Sequence, residues 1–302
     1  ARSSSPALNL LLCLVVGVTQ GVFEVVINFG AVRLEKAGQS RVMSLLHAGF
    51  SVGAVLGPVG ISFFLSNGSS WKLVFPVLAI LYLVLAALFA VTPFFGPEPV
   101  AADRERRGIA LLRQPLFLLL SLAALFYVGS ELGASNWISE YFVKVLGTSP
   151  GTGAYAVSIL WAGILVGRTL VSALFHEKRE EWVVFVLSLS CVAALLGLTA
   201  SRSPVTGMLV VFALGLGYSG IYPLLMSITG KAFRTTASVG MFTTVAGIGS
   251  FSFPFLLAGI SQGAGLRAGF LLLAILPLGT LAISVAVARH RRDGRLRDTT
   301  RA

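Results

Sequence analysis

Apolar residues run along this chain in stretches of spanning length, with polar residues gathered in the gaps between them. Nine such runs cover residues 7–32, 42–65, 71–95, 115–143, 150–175, 182–200, 205–230, 237–261 and 267–288. A bilayer core about 30 Å thick needs roughly 20 apolar helical residues. Every backbone polar group must be satisfied within lipid, and the runs are too long and too unalternating for barrel strands, so each predicts a helix. The pattern predicts an all-α membrane protein with nine transmembrane helices.

Composition agrees. Of the 302 residues, 56% are hydrophobic and 12% charged, against about 25% charged in soluble domains. The formal charge of +11 does not point to nucleic acid, because the basic residues sit between apolar runs and form no displayed face. Cytoplasmic loops accumulate Lys and Arg. With the C-terminus inside, 18 basic residues are cytoplasmic and 5 external, which puts the N-terminus outward; a plasma (inner) membrane location is expected. Cys13 and Cys191 both lie inside apolar runs and form no disulfide framework.

The Pro-rich, charged stretch 96–114 reads as a cytoplasmic linker. It divides a partial three-helix bundle, 1–95, from a six-helix bundle, 115–288, which is followed by a basic cytoplasmic tail, 289–302. The chain opens on Ala with no signal-peptide pattern ahead of the first run, and the three-plus-six division reads as a repeat protein that begins partway through.

Ionisable groups inside a bilayer are expensive, about 2.5 to 3.5 kcal/mol for an acid at the centre, and are functional candidates for that reason. Of twelve acids, Glu24, Glu131 and Glu140 lie inside the runs. Gln20, Glu24 and Asn28 recur every four residues and share one helix face. That face lines a wet interior or glues a helix contact by hydrogen bonds. Tyr127, Glu131, Ser135 and Ser139 form a second stripe in steps of four, with Asn136, Trp137 and Glu140 beside it. Glu140 falls near the outer surface, where a solvated helix end explains it.

The second run carries Gly49, Gly53 and Gly57 at four-residue spacing, next to Pro58. Small residues let a neighbouring backbone approach, and Gly163 and Gly167 give the fifth run a matching face, so these two helices are expected to pack together through their glycines. His47 and Ser51 point about 200° away from Gly49, toward the interior. There His47 is either structural or a proton carrier. In "GLGYSGIYP", Tyr218 and Tyr222 lie one turn apart before Pro223; their rings stack on a solute or pack at a proline kink. No zinc motif, phosphate-binding loop or nucleophilic triad is present, so no enzyme, metal or cofactor is expected.

"GVFEVVINFGAVR", "RVMSLLHAGFSVGAVLGPVG", "FYVGSELGASNWISEYFV", "WAGILVGRTLVSALF" and "GLGYSGIYPLLMSI" resemble a major facilitator, most closely the branch of fucose, galactose and glucose proton symporters. The stretches match that branch's fourth, fifth, seventh, eighth and tenth helices, so the resemblance implies the major facilitator fold, with helices 4 to 12 of twelve. It implies proton coupling and sugar contact at Glu24. The fifth-helix sugar-contacting position falls on His47, a departure from the branch. Arg168, after Gly167, resembles the second-half copy of the family's loop motif and implies a gating role. A glycine-rich pattern in the second run also resembles drug/proton antiporters, but the fourth-helix arginine of those proteins is Gly17 here.

The expectation is a monomeric secondary transporter in lipid, carrying a sugar or similar small polar solute with a proton. Glu24 takes the proton, and Gln20, Asn28, His47, Glu131, Asn136, Trp137, Tyr218 and Tyr222 contact the solute or its water. An efflux antiporter and a non-transporting solute sensor are the rival readings.

Overall fold

The computed structural model describes residues 5–34, 41–66, 73–92, 108–174 and 180–292, with backbone alone for 57–66, 74, 108, 172, 174 and 290–292. The described residues form helices α1 (Pro6–Leu34), α2 (Arg41–Ser66), α3 (Val74–Val91), α4 (Gly108–Leu111), α5 (Pro115–Lys144), α6 (Pro150–Leu174), α7 (Glu180–Ala200), α8 (Pro204–Tyr218), α9 (Ile221–Phe233) and α10 (Thr236–Arg292). Proline opens α1, α5, α6 and α8, where its fixed φ suits a helix and its missing N–H costs nothing. Ser203 caps α8 by accepting from the Thr206 amide at 3.2 Å.

Two breaks turn these helices into bilayer crossings. The tyrosine segment interrupts one span at Ser219 and Gly220, so that α8 and α9 together make one apolar stretch, Pro204–Phe233. Helix α10 has 57 residues, about 85 Å at 1.5 Å per residue, which is too long for one crossing. It bends at Gly265, whose φ of 81° and ψ of 163° belong to a region that glycine alone occupies freely. Among the described residues six helical segments are long and apolar enough to span, α10 among them, and α2 and α3 add shorter apolar helices. Nine is thus an approximate count.

Lipid tails are as apolar as leucine, so helices associate here through close packing and interhelical hydrogen bonds. Helix α5 is the centre, with Phe117, Tyr127, Ile138, Tyr141 and Phe142 all fully buried or nearly so. Tyr141 donates to the Leu198 carbonyl at 3.0 Å, and Thr280 Oγ1 donates to the Ala123 carbonyl at 3.2 Å. Where α6 crosses α8, a Cβ on Gly163 would strike the Phe212 carbonyl and the Gly215 Cα, and one on Gly167 would strike Ser219.

This contact corrects one expectation. The small face of α6 is occupied by α8, while Gly49 and Gly53 of α2 have open space beside them; Gly57 and Pro58 lie where side chains are outside the described residues. Helices α2 and α6 do meet, but not through the glycines: Arg168 reaches across to the His47 carbonyl and Ser51, and the Phe50 and Trp161 rings lie 5.6 Å apart. The reason is chemical: α2's polar face supplies the acceptors that a buried guanidinium requires, and glycines offer it only space.

Helices α1 and α2 touch the rest of the molecule through the C-terminal part of α1 and the N-terminal part of α2. The buried residues of α1 are Asn28, Ala31 and Val32, and α2 buries Met43, Ser44, Ala48 and Ser51. Gly230 of α9 makes room for Val32. The first half of α1 is exposed.

Candidate functional site

Glu24 and Asn28 sit one turn apart on α1, as their spacing requires. The Asn28 Nδ2 donates to the Glu24 carbonyl at 2.8 Å, and its Oδ1 lies 3.1 Å from His47 Nε2 on α2. With the amide nitrogen committed to a carbonyl, Oδ1 is an acceptor, so the imidazole carries a proton on Nε2. Tyr222, on α9, packs edge-on against His47 with ring centroids 5.1 Å apart. Its hydroxyl reaches Glu24 Oε1 at 3.4 Å. The Glu24 side chain is half-buried, so its carboxylate is both anchored and open.

A second cluster adjoins the first. Arg168 is 3% exposed and uses its donors in three directions. Nη1 donates to the His47 carbonyl and to Ser51 Oγ, both at 2.6 Å, and Nε donates to the Ser219 carbonyl at 3.2 Å. Nη2 lies 3.7 Å from Glu131 Oε1, an ion pair by distance but too long for a strong hydrogen bond. The same carboxylate oxygen accepts from Tyr127 at 2.7 Å. Tyr127 also reaches the Tyr218 carbonyl at 2.9 Å, and the Tyr218 hydroxyl meets Ser130 Oγ at 2.7 Å. Polar contacts therefore run from α1 through α2, α6 and α5 to the α8–α9 break.

The predicted residues divide accordingly. Glu24, Asn28, His47, Glu131, Arg168 and Tyr222 are brought together. Tyr218 is fully buried with its hydroxyl on Ser130, a position that supports the others. Trp137 faces α10, donating to the Pro254 carbonyl at 3.2 Å. Gln20 and Asn136 are exposed and stand apart from the network. Glu140 pairs with Lys144 at 2.6 Å on the surface, as a solvated helix end does.

Sequence reasoning missed the Arg168–Glu131 pair. Both residues were singled out, but spacing within a helix says nothing about which residues face each other across helices. It also missed Glu180, which is 4% exposed, accepts from Ser227 Oγ at 3.3 Å and pairs with Lys231 at 2.8 Å. It lies just outside the run that begins at residue 182; an acid next to an apolar helix start was the available signal. A surface hollow of about 380 Å³ at the α7–α8 turn, lined by Ser201, Arg202 and Thr206 among others, lies away from both clusters. Among the described residues no three His, Cys, Asp or Glu side chains gather as a metal site.

Helices of spanning length around a buried polar network define a multi-pass membrane protein. Residues 1–254 match the family model of the Major Facilitator Superfamily, and the chain belongs to that superfamily. It is 25% identical over 226 residues to a protein TsgA homolog of Serratia proteamaculans, covering 72% of this chain and 56% of that one. The chain thus spans about half the length of curated relatives it matches. In structure it is similar to FucP, the fucose:proton symporter of E. coli solved in the outward conformation, with TM-score 0.71, 18% identity, and coverage of 86% of this chain and 71% of that one. It is also similar to the human organic anion transporter MFSD10, with TM-score 0.70, 17% identity, and coverage of 85% and 66%. At these identities the structural likeness speaks for the fold.

Proposed function

We propose that this chain forms the greater part of a secondary transporter that carries a sugar or similar small polar solute together with a proton. The observation that carries the reading is the Glu24–Tyr222 contact. It joins a half-open carboxylate on α1 to an aromatic hydroxyl on α9, beside a polar network that crosses between the first helices and the rest. A carboxylate of this kind holds a proton or accepts from a solute hydroxyl, and the adjacent Tyr222 and His47 rings give a sugar an apolar face to lie on. Alternating access then consists of two helical groups rocking about a site between them.

In this reading residues 1–95 and 115–288 are the two groups, 96–114 links them, and 289–302 is a cytoplasmic tail. The protein acts as a monomer in the plasma (inner) membrane. The C-terminal end of α1 and the N-terminal end of α2 face the cytoplasm, and Arg168 holds that side closed. The structural likeness to FucP, a fucose:proton symporter, supports the direction of the reading.

The test is Glu24→Gln in the full-length protein reconstituted in liposomes. Proton-driven accumulation of labelled sugar should vanish while solute exchange by counterflow persists, and wild-type uptake should fall as external pH climbs. Normal accumulation in the variant discards Glu24 as the proton carrier. Drug resistance without sugar uptake points to efflux, and solute binding without counterflow points to a sensor.

A further inference from the structure

Apart from the Ser219 carbonyl, which accepts from its Nε at 3.2 Å, Arg168 is held from two sides. On one side it clamps α2 through the His47 carbonyl and Ser51 Oγ; on the other it faces Glu131 of α5 at 3.7 Å. Both charged side chains are almost wholly buried, 3% and 9% exposed. A buried guanidinium is tolerated while a carboxylate answers its charge, and removing one partner strands the other in a medium that solvates it poorly.

The groups facing Glu131 are Tyr127 on its own helix, Arg168 from α6, Cys191 from α7, Tyr218 at the end of α8 and Tyr222 from α9. Arg168 is the one cation in that set. Neutralising Glu131 therefore leaves Arg168 without a charge partner, and the cheapest remedy is hydration. Water reaches Arg168 if α2 withdraws from α6, because α2 occupies Nη1 through the His47 carbonyl and Ser51 Oγ.

We propose that Glu131 is a positioning residue for the α2–α6 closure: its charge holds Arg168 in the clamp, and neutralising it releases α2 at its N-terminal end. This rests on the transporter reading for its physiological use and adds to it a second charge, separate from Glu24, that sets which end of the molecule is shut. The shift in population follows from the difference in Arg168 solvation between the closed and open arrangements.

The experiment places spin labels at Leu45 on α2 and Leu170 on α6, both exposed, in a Cys13→Ser, Cys191→Ala background of the full-length protein in lipid nanodiscs. Pulsed electron resonance reads the distance. Glu131→Gln should raise the ratio of long to short distances about tenfold. Ser51→Ala should move it the same way by less, and Glu131→Asp should fall between Glu131→Gln and the reference. Arg168→Gln should open the pair, and adding Glu131→Gln to it should open it no further.

A Glu131→Gln distribution that superimposes on the reference while Arg168→Gln widens it overturns the proposal. So does a double variant that opens by the sum of both effects. If Glu131→Gln is not monodisperse on gel filtration, Glu131→Asp and Ser51→Ala decide, and an unchanged distance in both overturns it. The readout needs no solute, so opening on neutralisation together with absent counterflow sinks the transporter reading and leaves this one standing.

Discussion

Asn28 and His47 are joined across α1 and α2 by a 3.1 Å hydrogen bond, and Asn28 is held for it by its own bond to the Glu24 carbonyl. One amide thus ties the backbone of the candidate proton carrier to the ring that packs against Tyr222. Both ends of Asn28 are used, so its shape is constrained more tightly than that of an ordinary interhelical asparagine.

Asn28→Ala leaves the His47 Nε2–H without this acceptor in a site that is 1% exposed at Asn28. An unsatisfied buried donor costs about 1 to 3 kcal/mol. The thermal midpoint in detergent should drop by several degrees.

Tyr222→Phe removes the hydroxyl near Glu24 and keeps the ring contacts with His47 and with Phe242, whose centroid is 5.7 Å away. The 3.4 Å hydroxyl contact is long, so the stability change should stay within about 1 kcal/mol. Solute affinity in a binding or counterflow assay should weaken severalfold, because the hydroxyl is a polar group facing the half-open carboxylate.

Gly163→Val drives a side chain into the Phe212 carbonyl and the Gly215 Cα. These are backbone atoms that cannot rotate away, so the cost should reach or exceed the roughly 1 to 3 kcal/mol of ordinary overpacking. Loss of folded protein on gel filtration is the expected result. Gly53→Ala, with open space beside it, should be neutral or stabilising by up to about 1 kcal/mol.

Lys231→Met removes the cation 2.8 Å from the Glu180 carboxylate. Lys231 is partly exposed, at 17%, and Glu180 keeps the Ser227 hydroxyl, so the loss should be about 1 to 3 kcal/mol and not the full cost of stranding a charge. Glu180→Gln with Lys231→Met should recover part of it. Thermal unfolding of the four proteins measures the coupling.

The helical fold was legible because bilayer thickness writes itself into run length, and the superfamily because several stretches carry recognisable residues. The α1 stripe was legible for a related reason: Glu24 and Asn28 are neighbours along one helix, and four-residue spacing is a local geometric fact. What escaped was everything set between helices. Gly163 and Gly167 advertised a close contact, but any small face would have satisfied them, and α8 offered Gly215 where α2 had been expected. Arg168 sat at a run's end and suggested a loop motif; the acceptors that draw it inward, the His47 carbonyl and Ser51, are more than a hundred residues away in sequence. Gln20 fits the stripe by period and is exposed, because the stripe continues beyond the point where α1 leaves its neighbours.

The bend at Gly265 has no loop to absorb an error. The last two crossings are two helices joined directly at one non-helical residue, so their rotational phase depends on the number of residues at that joint. Inserting one residue after Gly265 would turn the final crossing about 100° on its axis. Leu273 would swing off Gly133, against which it now sits closely, and Phe270 off Tyr141, 4.7 Å from it between ring centroids. A stretch that tolerates almost any apolar substitution on its lipid side is, for length, among the least forgiving in the chain.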